Sequence, residues 1–240
     1  MKALIFAAGL GTRLYPYTSD RPKALVPIAG KPMLQHIILK LKNSGIREFI
    51  INIHHFGDQI IQFLKENNHF DCQITISDER DKLLDTGGGL KKAMSSLNDN
   101  EDLLVHNVDI WTDFDLSLLM NHHQKSKSLV SLLVQNRETS RYLLFDKEDK
   151  RLKGWMNKKT GEKIPEDILI ENYNTFAFNG IHIISARAKN LFPKEDAFPL
   201  IPVYLKLAEK EKISAIEFSG SFWLDLGKAE QLLKAENLIK

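Results

Sequence analysis

Two glycines, an arginine and a lysine near the start of the chain have the types and spacing to do chemistry. Gly9 and Gly11 lie in Ala7-Ala8-Gly9-Leu10-Gly11-Thr12-Arg13-Leu14, directly after an apolar run. Glycines there let the backbone approach a phosphate and present N–H donors to it. Arg13 adds a rigid fork of donors. Lys23, in Arg21-Pro22-Lys23-Ala24-Leu25, adds a mobile point charge. Together they suit a triphosphate. The spacing matches neither common phosphate loop. A Walker A loop needs Gly, four residues, then Gly-Lys-Ser/Thr. A dinucleotide loop needs a third glycine where Leu14 stands, and Arg13 would crowd the pyrophosphate.

Acids come next. Asp109 follows an expected strand end and so points into the same crevice as Gly9 to Arg13. A carboxylate there is a natural Mg²⁺ ligand, because Mg²⁺ binds through one or two carboxylates plus substrate phosphates. Asp225 sits between Leu224 and Leu226, and alternation sets it on the opposite face from both. Gly87, Gly88 and Gly89 form a second glycine cluster, suited to backbone contact with a flat base. Asp85 and Glu79 are nearby polar candidates for that base or its ribose.

These groups need a scaffold. Residues 2–7 fit a strand buried on both faces. Pro32 opens a helical pattern with Leu34, Ile37, Ile38 and Leu41 on one face, and Gly45 ends it. Strands are expected over 49–53, 72–76, 103–105 and 129–134, and helices over 58–65, 88–96 and 116–124. That alternation marks βαβ units on a parallel sheet. Beyond about residue 136 the pattern gives strands over 141–145, 151–155 and 175–184, a turn over 157–161, and helices over 199–209 and 228–238. The expected fold class is α/β: one Rossmann-like, doubly wound domain over 1–240, with a mostly parallel mixed sheet and helices on both faces.

Composition narrows the function classes. The 240 residues are 43% hydrophobic and 27% charged, with a net charge of +2 and no long Lys/Arg run. This gives no argument for a nucleic-acid or membrane partner. The single Cys72 cannot form an internal disulfide, which fits a cytoplasmic protein. No stretch approaches the roughly 18 apolar residues of a spanning helix.

The stretch Phe6-Ala7-Ala8-Gly9-Leu10-Gly11-Thr12-Arg13-Leu14, followed by Arg21-Pro22-Lys23-Ala24-Leu25-Val26-Pro27, resembles the signature of sugar-1-phosphate nucleotidyltransferases. Further landmarks stand in the family order: Ile51-Asn52-Ile53-His54-His55, Leu84-Asp85-Thr86-Gly87-Gly88-Gly89, Asn107-Val108-Asp109-Ile110-Trp111, Phe178-Asn179-Gly180-Ile181-His182 and Trp223-Leu224-Asp225-Leu226-Gly227. Asp-Thr-Gly-Gly-Gly with Asp-Ile-Trp is most similar to N-acetylmuramate-1-phosphate uridylyltransferases. Mannose-1-phosphate and heptose-1-phosphate guanylyltransferases are near relatives.

The resemblance implies a fold, an activity and a set of roles. The fold is that of nucleotide-diphospho-sugar transferases. A nucleoside triphosphate condenses with a sugar-1-phosphate and releases pyrophosphate. Arg13, Lys23 and Asp109 are the implied catalytic residues. Ala8, Gly9, Gly11, Thr12, Arg13, Lys23, Thr86, Gly87 and Gly88 are implied to bind the nucleotide. Asp109 and Asp225 are the implied ligands of Mg²⁺, with Asn107 orienting Asp109. Residues 1–135 form the nucleotide-binding part and 136–240 the sugar-phosphate-binding part. Relatives use a Glu-Lys-Pro on the sugar side. Here the comparable region reads Gly154-Trp155-Met156-Asn157-Lys158-Lys159. Lys158 becomes the candidate phosphate contact and Asn157 a sugar contact, while Asn179 and Gly180 stand in an intact motif. Val108 replaces the family's glycine.

Other groups read as structural. His54 and His55 are adjacent and point to opposite faces of an extended chain. His122 and His123 lie in an expected helix, and Trp111, Trp155 and Trp223 read as core or pocket wall. A non-catalytic nucleotide-sugar-binding module would have lost the acids or the signature lysine, and all of them remain. An NAD-dependent oxidoreductase would carry the complete dinucleotide fingerprint. The sequence specifies neither base, sugar nor oligomeric state.

Overall fold

The apolar run after Met1 forms a strand at the centre of a sheet, and its side chains alternate between two cores. Ala3 and Ile5 face one core and Leu4 the other, all fully buried. The structure, a computed structural model, describes residues 1–220 and 222–239. In chain order the elements are β1 (Lys2–Phe6), β2 (Pro27–Ile28), β3 (Lys31–Pro32), α1 (Met33–Asn43), β4 (Glu48–Ile53), α2 (Gly57–Glu66), β5 (Gln73–Asp78), α3 (Asp85–Met94), β6 (Leu103–Asn107) and β7 (Ile110–Thr112). There follow α4 (Leu116–Ser126), β8 (Val130–Gln135), β9 (Arg141–Asp146), β10 (Leu152–Asn157), β11 (Lys163–Ile164), β12 (Tyr173–Ile184), α5 (Leu200–Ala208), β13 (Ile213–Glu217), β14 (Trp223–Asp225) and α6 (Ala229–Ile239).

The main sheet runs β11-β10-β9-β12-β6-β1-β4-β5, with β8 paired to β12 and β13 to β8. The β6-β1-β4-β5 segment is parallel. Long β12 is antiparallel to all its partners, β9 through Tyr173–Phe176 and β6 through Ile181–Ile184 among them. Helices cover both faces. Buried residues of α1, α2, α4 and α6 join the core of Ala3 and Ile5. Buried residues of α3 and α5 join the core of Leu4. This is the mixed, doubly wound sheet that the alternating pattern predicts.

Helix α1 buries Met33, Leu34, Ile37, Ile38 and Leu41, the face expected from their spacing. Helix α3 departs from expectation by starting at Asp85 rather than Gly88. Three consecutive glycines carry poor helix propensity, so its first turn is hidden in the sequence. The strands β13 and β14 were not anticipated. Ile213–Glu217 is short and holds small polar residues, and Trp223–Asp225 has only three residues. Both are set by partners distant in sequence, β8 and β7. No described helix is long and apolar enough to cross a membrane.

Candidate active site

The glycine loop leaves β1 at its carboxyl end and is held from beneath by a polar residue in an otherwise apolar strand. Asn52, near the end of β4, is paired in register with Phe6. Its Oδ1 accepts the Ala7 and Ala8 amides at 2.6 and 3.2 Å, and its Nδ2 donates to Glu79 Oε1 at 2.9 Å. Glu79 is buried, and its other oxygen accepts the Leu84 amide at 3.3 Å. Burial of such groups requires this mutual satisfaction. The Ala8 amide, in a residue implied to bind the nucleotide, is therefore already engaged by the protein. Among the described residues the amides of Gly9, Leu10 and Gly11 donate to no protein acceptor. Gly11 takes a left-handed φ of 70°, and a Cβ there would lie 2.9 Å from Thr18. Only glycine makes this turn without strain. Thr12 opens the 3₁₀ turn that follows and is exposed.

Pro22 is extended and leads into a second 3₁₀ turn, Lys23–Leu25. This turn sends Lys23 inward, where its Nζ donates to Asp109 Oδ2 at 2.6 Å. Asp109 is 7% exposed, held between β6 and β7, and its carbonyl accepts the Leu226 amide. Asp225 ends β14, paired with Ile110 of β7, so the β7–β14 ladder brings two acids distant in sequence to one place. A Cβ on Gly227 would lie 2.8 Å from Asp109 Oδ2, 2.9 Å from Asp225 Oδ1 and 2.9 Å from Arg13 Nη2. The Gly227 amide donates to Asp225 Oδ1 at 2.9 Å, and Arg13 Nη1 stands 3.9 Å from Asp225 Oδ2. The two expected phosphate contacts, Arg13 and Lys23, and the two expected metal ligands, Asp109 and Asp225, thus converge. Asn107 does not hydrogen-bond Asp109; its amide fills the space that Gly180 leaves. Burial pushes His106 down to about 4, so it stays neutral behind this cluster and its Nδ1 donates to the Asn107 carbonyl.

Ala8, Gly9, Arg13, Lys23, Thr86 and Asp109 line one cavity of about 310 Å³, walled further by Asn52, Glu79 and Asp85. Gly87 and Gly88, expected to bind the nucleotide, do not line this cavity. They are buried in the first turns of α3, and both amides donate to the Phe198 carbonyl. Added Cβ atoms would lie 2.4 Å from the Phe198 ring and 1.9 Å from the Asp196 carbonyl oxygen. Their missing side chains let α3 pack closely against the 196–198 segment. Gly88→Ala must push backbone apart, an overpacking cost of about 1–3 kcal/mol. A thermal melt of that variant is expected to fall by several degrees, and an unchanged melting point would refute this packing role.

The sugar-side candidates divide. Asn157 Oδ1 accepts the Lys159 amide and so caps its own turn. Lys158 lines a separate hollow of about 430 Å³ with Arg137, Tyr142 and Thr175. Asn179 is fully buried, and both polar atoms of its carboxamide lack a partner among the described residues. Its carbonyl accepts Trp223 Nε1 at 3.1 Å. Gly180 has φ 76°, and a Cβ there would strike Asn107 at 2.8 Å.

Arg137, Asn52 and Gly227 were not singled out from the sequence. Asn52 gave a signal, being the polar residue of the strand Glu48-Phe-Ile-Ile-Asn-Ile. Gly227 was visible only as part of a motif. Arg137, one basic residue past the end of β8, gave none.

Two carboxylates sharing the space beside Gly227 are all-oxygen donors, suited to a hard cation such as Mg²⁺. Among the described residues no group of three or more His, Cys, Asp or Glu could hold an ion. Two carboxylates then leave positions that substrate phosphates and water would fill.

Comparison with known proteins agrees with this geometry. The nucleotidyl transferase family model matches residues 2–240. An N-acetylmuramate α-1-phosphate uridylyltransferase from Caulobacter vibrioides is 31% identical over 98% of this chain and 95% of its own length. Mannose-1-phosphate guanyltransferase β-B from Xenopus laevis is 30% identical over 97% of this chain, which spans 63% of that longer protein. In fold, the crystal structure of HddC from Yersinia pseudotuberculosis complexed with GMP-PN superposes with a TM-score of 0.77 at 23% identity, covering 100% of this chain and 99% of that one. Similarity that runs end to end, rather than through one motif, means that the chain belongs to the nucleotidyl transferase family, as a sugar-1-phosphate nucleotidyltransferase.

Proposed function

We propose that this enzyme joins UTP to N-acetylmuramate 1-phosphate, giving UDP-N-acetylmuramate and pyrophosphate. The observation that carries the chemistry is the convergence of Lys23, Arg13, Asp109 and Asp225 beside Gly227. The choice of substrates is supported by near full-length similarity to the Caulobacter uridylyltransferase. A second reading is GTP with mannose 1-phosphate or heptose 1-phosphate, the mannose form being favoured by similarity to the Xenopus guanyltransferase.

The sugar phosphate needs no general base, because its oxygens are ionised near neutral pH. One of them attacks the α-phosphorus, and the bond to the β-phosphate bridging oxygen breaks. Both reactants are anions, so their repulsion is the main obstacle. Asp109 and Asp225 would hold Mg²⁺, which shields the phosphate charges and polarises the α-phosphoryl group. Arg13 and Lys23 hold the triphosphate and neutralise the charge that leaves with pyrophosphate. The free amides of Gly9, Leu10 and Gly11 supply fixed dipoles at the same place. Catalysis is then positioning plus electrostatics.

The test is a screen of four NTPs against N-acetylmuramate, mannose, heptose and glucose 1-phosphates, read as pyrophosphate release with Mg²⁺. Highest kcat/KM is expected for UTP with N-acetylmuramate 1-phosphate. A preference for GTP with mannose or heptose 1-phosphate selects the second reading. No release from any pair removes both.

A further inference from the structure

We infer that Arg137 is the phosphate-holding residue of the sugar side, gripping the phosphate of the sugar 1-phosphate between Asp225 and Lys158. This rests on the proposed function only in taking a sugar 1-phosphate as the second substrate. Arg137 owes its position to a fault in a strand. The pairing of β12 with β8 shifts register between Phe178 and His182, and Gly180 turns there with φ 76°. Such bulges re-aim backbone groups. Here the Phe178 carbonyl accepts Arg137 Nη2 at 3.1 Å, and the Asn179 carbonyl accepts Trp223 Nε1 at 3.1 Å. The two carbonyls lay the guanidinium over the indole, with Cζ 4.0 Å from the ring centroid. Trp223 lies two residues from Asp225 on β14, so the bulge ties Arg137 to the acid cluster.

The guanidinium is then held but not satisfied. A guanidinium has five N–H donors. Among the described residues, that to Phe178 is its only hydrogen bond, and Nε is buried without an acceptor. No carboxylate among the described residues pairs with it in direct contact. Burial pushes its pKa down, and the charge of Asp225 opposes that shift. A half-buried cation with a free fork needs an anion. The hollow it lines with Lys158 also presents Tyr142, Thr175, Asn136 and Glu138, polar groups of its wall suited to sugar hydroxyls, with Met156 and Ile170 as its apolar part. One residue along β12, the buried Asn179 carboxamide likewise lacks partners. A phosphate monoester is the anion that fits: its oxygens match the fork, and its sugar matches the wall. The absent Glu-Lys-Pro is thereby replaced by an arginine from a different strand end.

The experiment is isothermal titration of wild type, Arg137→Gln and Arg137→Lys, without nucleotide, using N-acetylmuramate 1-phosphate and mannose 1-phosphate as probes. UTP is titrated separately, and melts check folding. Arg137→Gln is expected to weaken both sugar phosphates by about 10–100-fold, the worth of a charge-assisted pair. Arg137→Lys should weaken them less, since it keeps the charge but loses the fork. UTP affinity should not change. Equal weakening of UTP, unchanged sugar-phosphate binding, or a loss confined to N-acetylmuramate 1-phosphate would each overturn the assignment, the last by showing that Arg137 reads the acid of the sugar. Wild type that binds neither probe overturns it too. If wild type binds them and Arg137→Gln does not, yet no pair releases pyrophosphate, this inference stands and the proposed reaction falls.

Discussion

Asp109→Asn is expected to eliminate Mg²⁺-dependent turnover, with pyrophosphate release falling by at least about 10³. The substitution keeps size and shape and removes one charge. Three things depend on that charge. It holds Lys23 Nζ at 2.6 Å, it faces Asp225 across the gap beside Gly227, and it is one of the two carboxylates proposed to hold Mg²⁺. An amide oxygen is a far poorer magnesium ligand than a carboxylate. Folding should survive, because the main-chain bond from Leu226 to the residue 109 carbonyl is untouched. The check is a Mg²⁺ titration of turnover beside a thermal melt. A folded variant that regains normal turnover at saturating Mg²⁺ would remove Asp109 as a ligand.

Lys23→Ala is expected to cost about 10²–10³ in kcat, the usual effect of deleting one contact to developing charge. The lysine side chain is 15% exposed and reaches the cleft from the turn that Pro22 sets up. Its removal leaves Asp109 without its cation at a 10% exposed site, so repulsion between acid and triphosphate rises as well. Lys23→Arg should restore little. The Lys23 Nζ already lies 2.6 Å from Asp109 Oδ2 with both side chains largely buried, so a longer, planar guanidinium must displace its partner. Steady-state pyrophosphate assays decide this, and full activity in purified Lys23→Ala would end its assignment.

The reacting end of the site was legible because its signals are local. Gly9, Gly11, Arg13 and Lys23 lie within one strand–loop–turn segment, and Asp109 follows a strand whose apolar pattern is clear. Helix α1 was legible for the same reason: a single apolar stripe, opened by Pro32 and closed near Gly45. Long-range contacts were less visible. Gly87 and Gly88 look like a loop for a flat ligand, yet they are glycines because the 196–198 segment presses on them. That contact crosses more than a hundred residues, and no spacing rule encodes it. Asp225 gained its place from a three-residue strand whose own propensity is negligible. Arg137 was invisible because its placement depends on a register shift in another strand.

Strand β12 joins two ladders of the main sheet. Its twelve residues run unbroken from the ladder with β9 to the ladder with β6, past the bulge at Phe178–Gly180. The two halves of the molecule therefore share a beam rather than a hinge. Rotating one against the other would break hydrogen bonds in the middle of the sheet. The gap that the attacking oxygen must cross is then set by carpentry, before either reactant arrives. The first loop, by contrast, pairs with no strand of the sheet, and Leu10, Tyr15 and Tyr17 stand exposed on it.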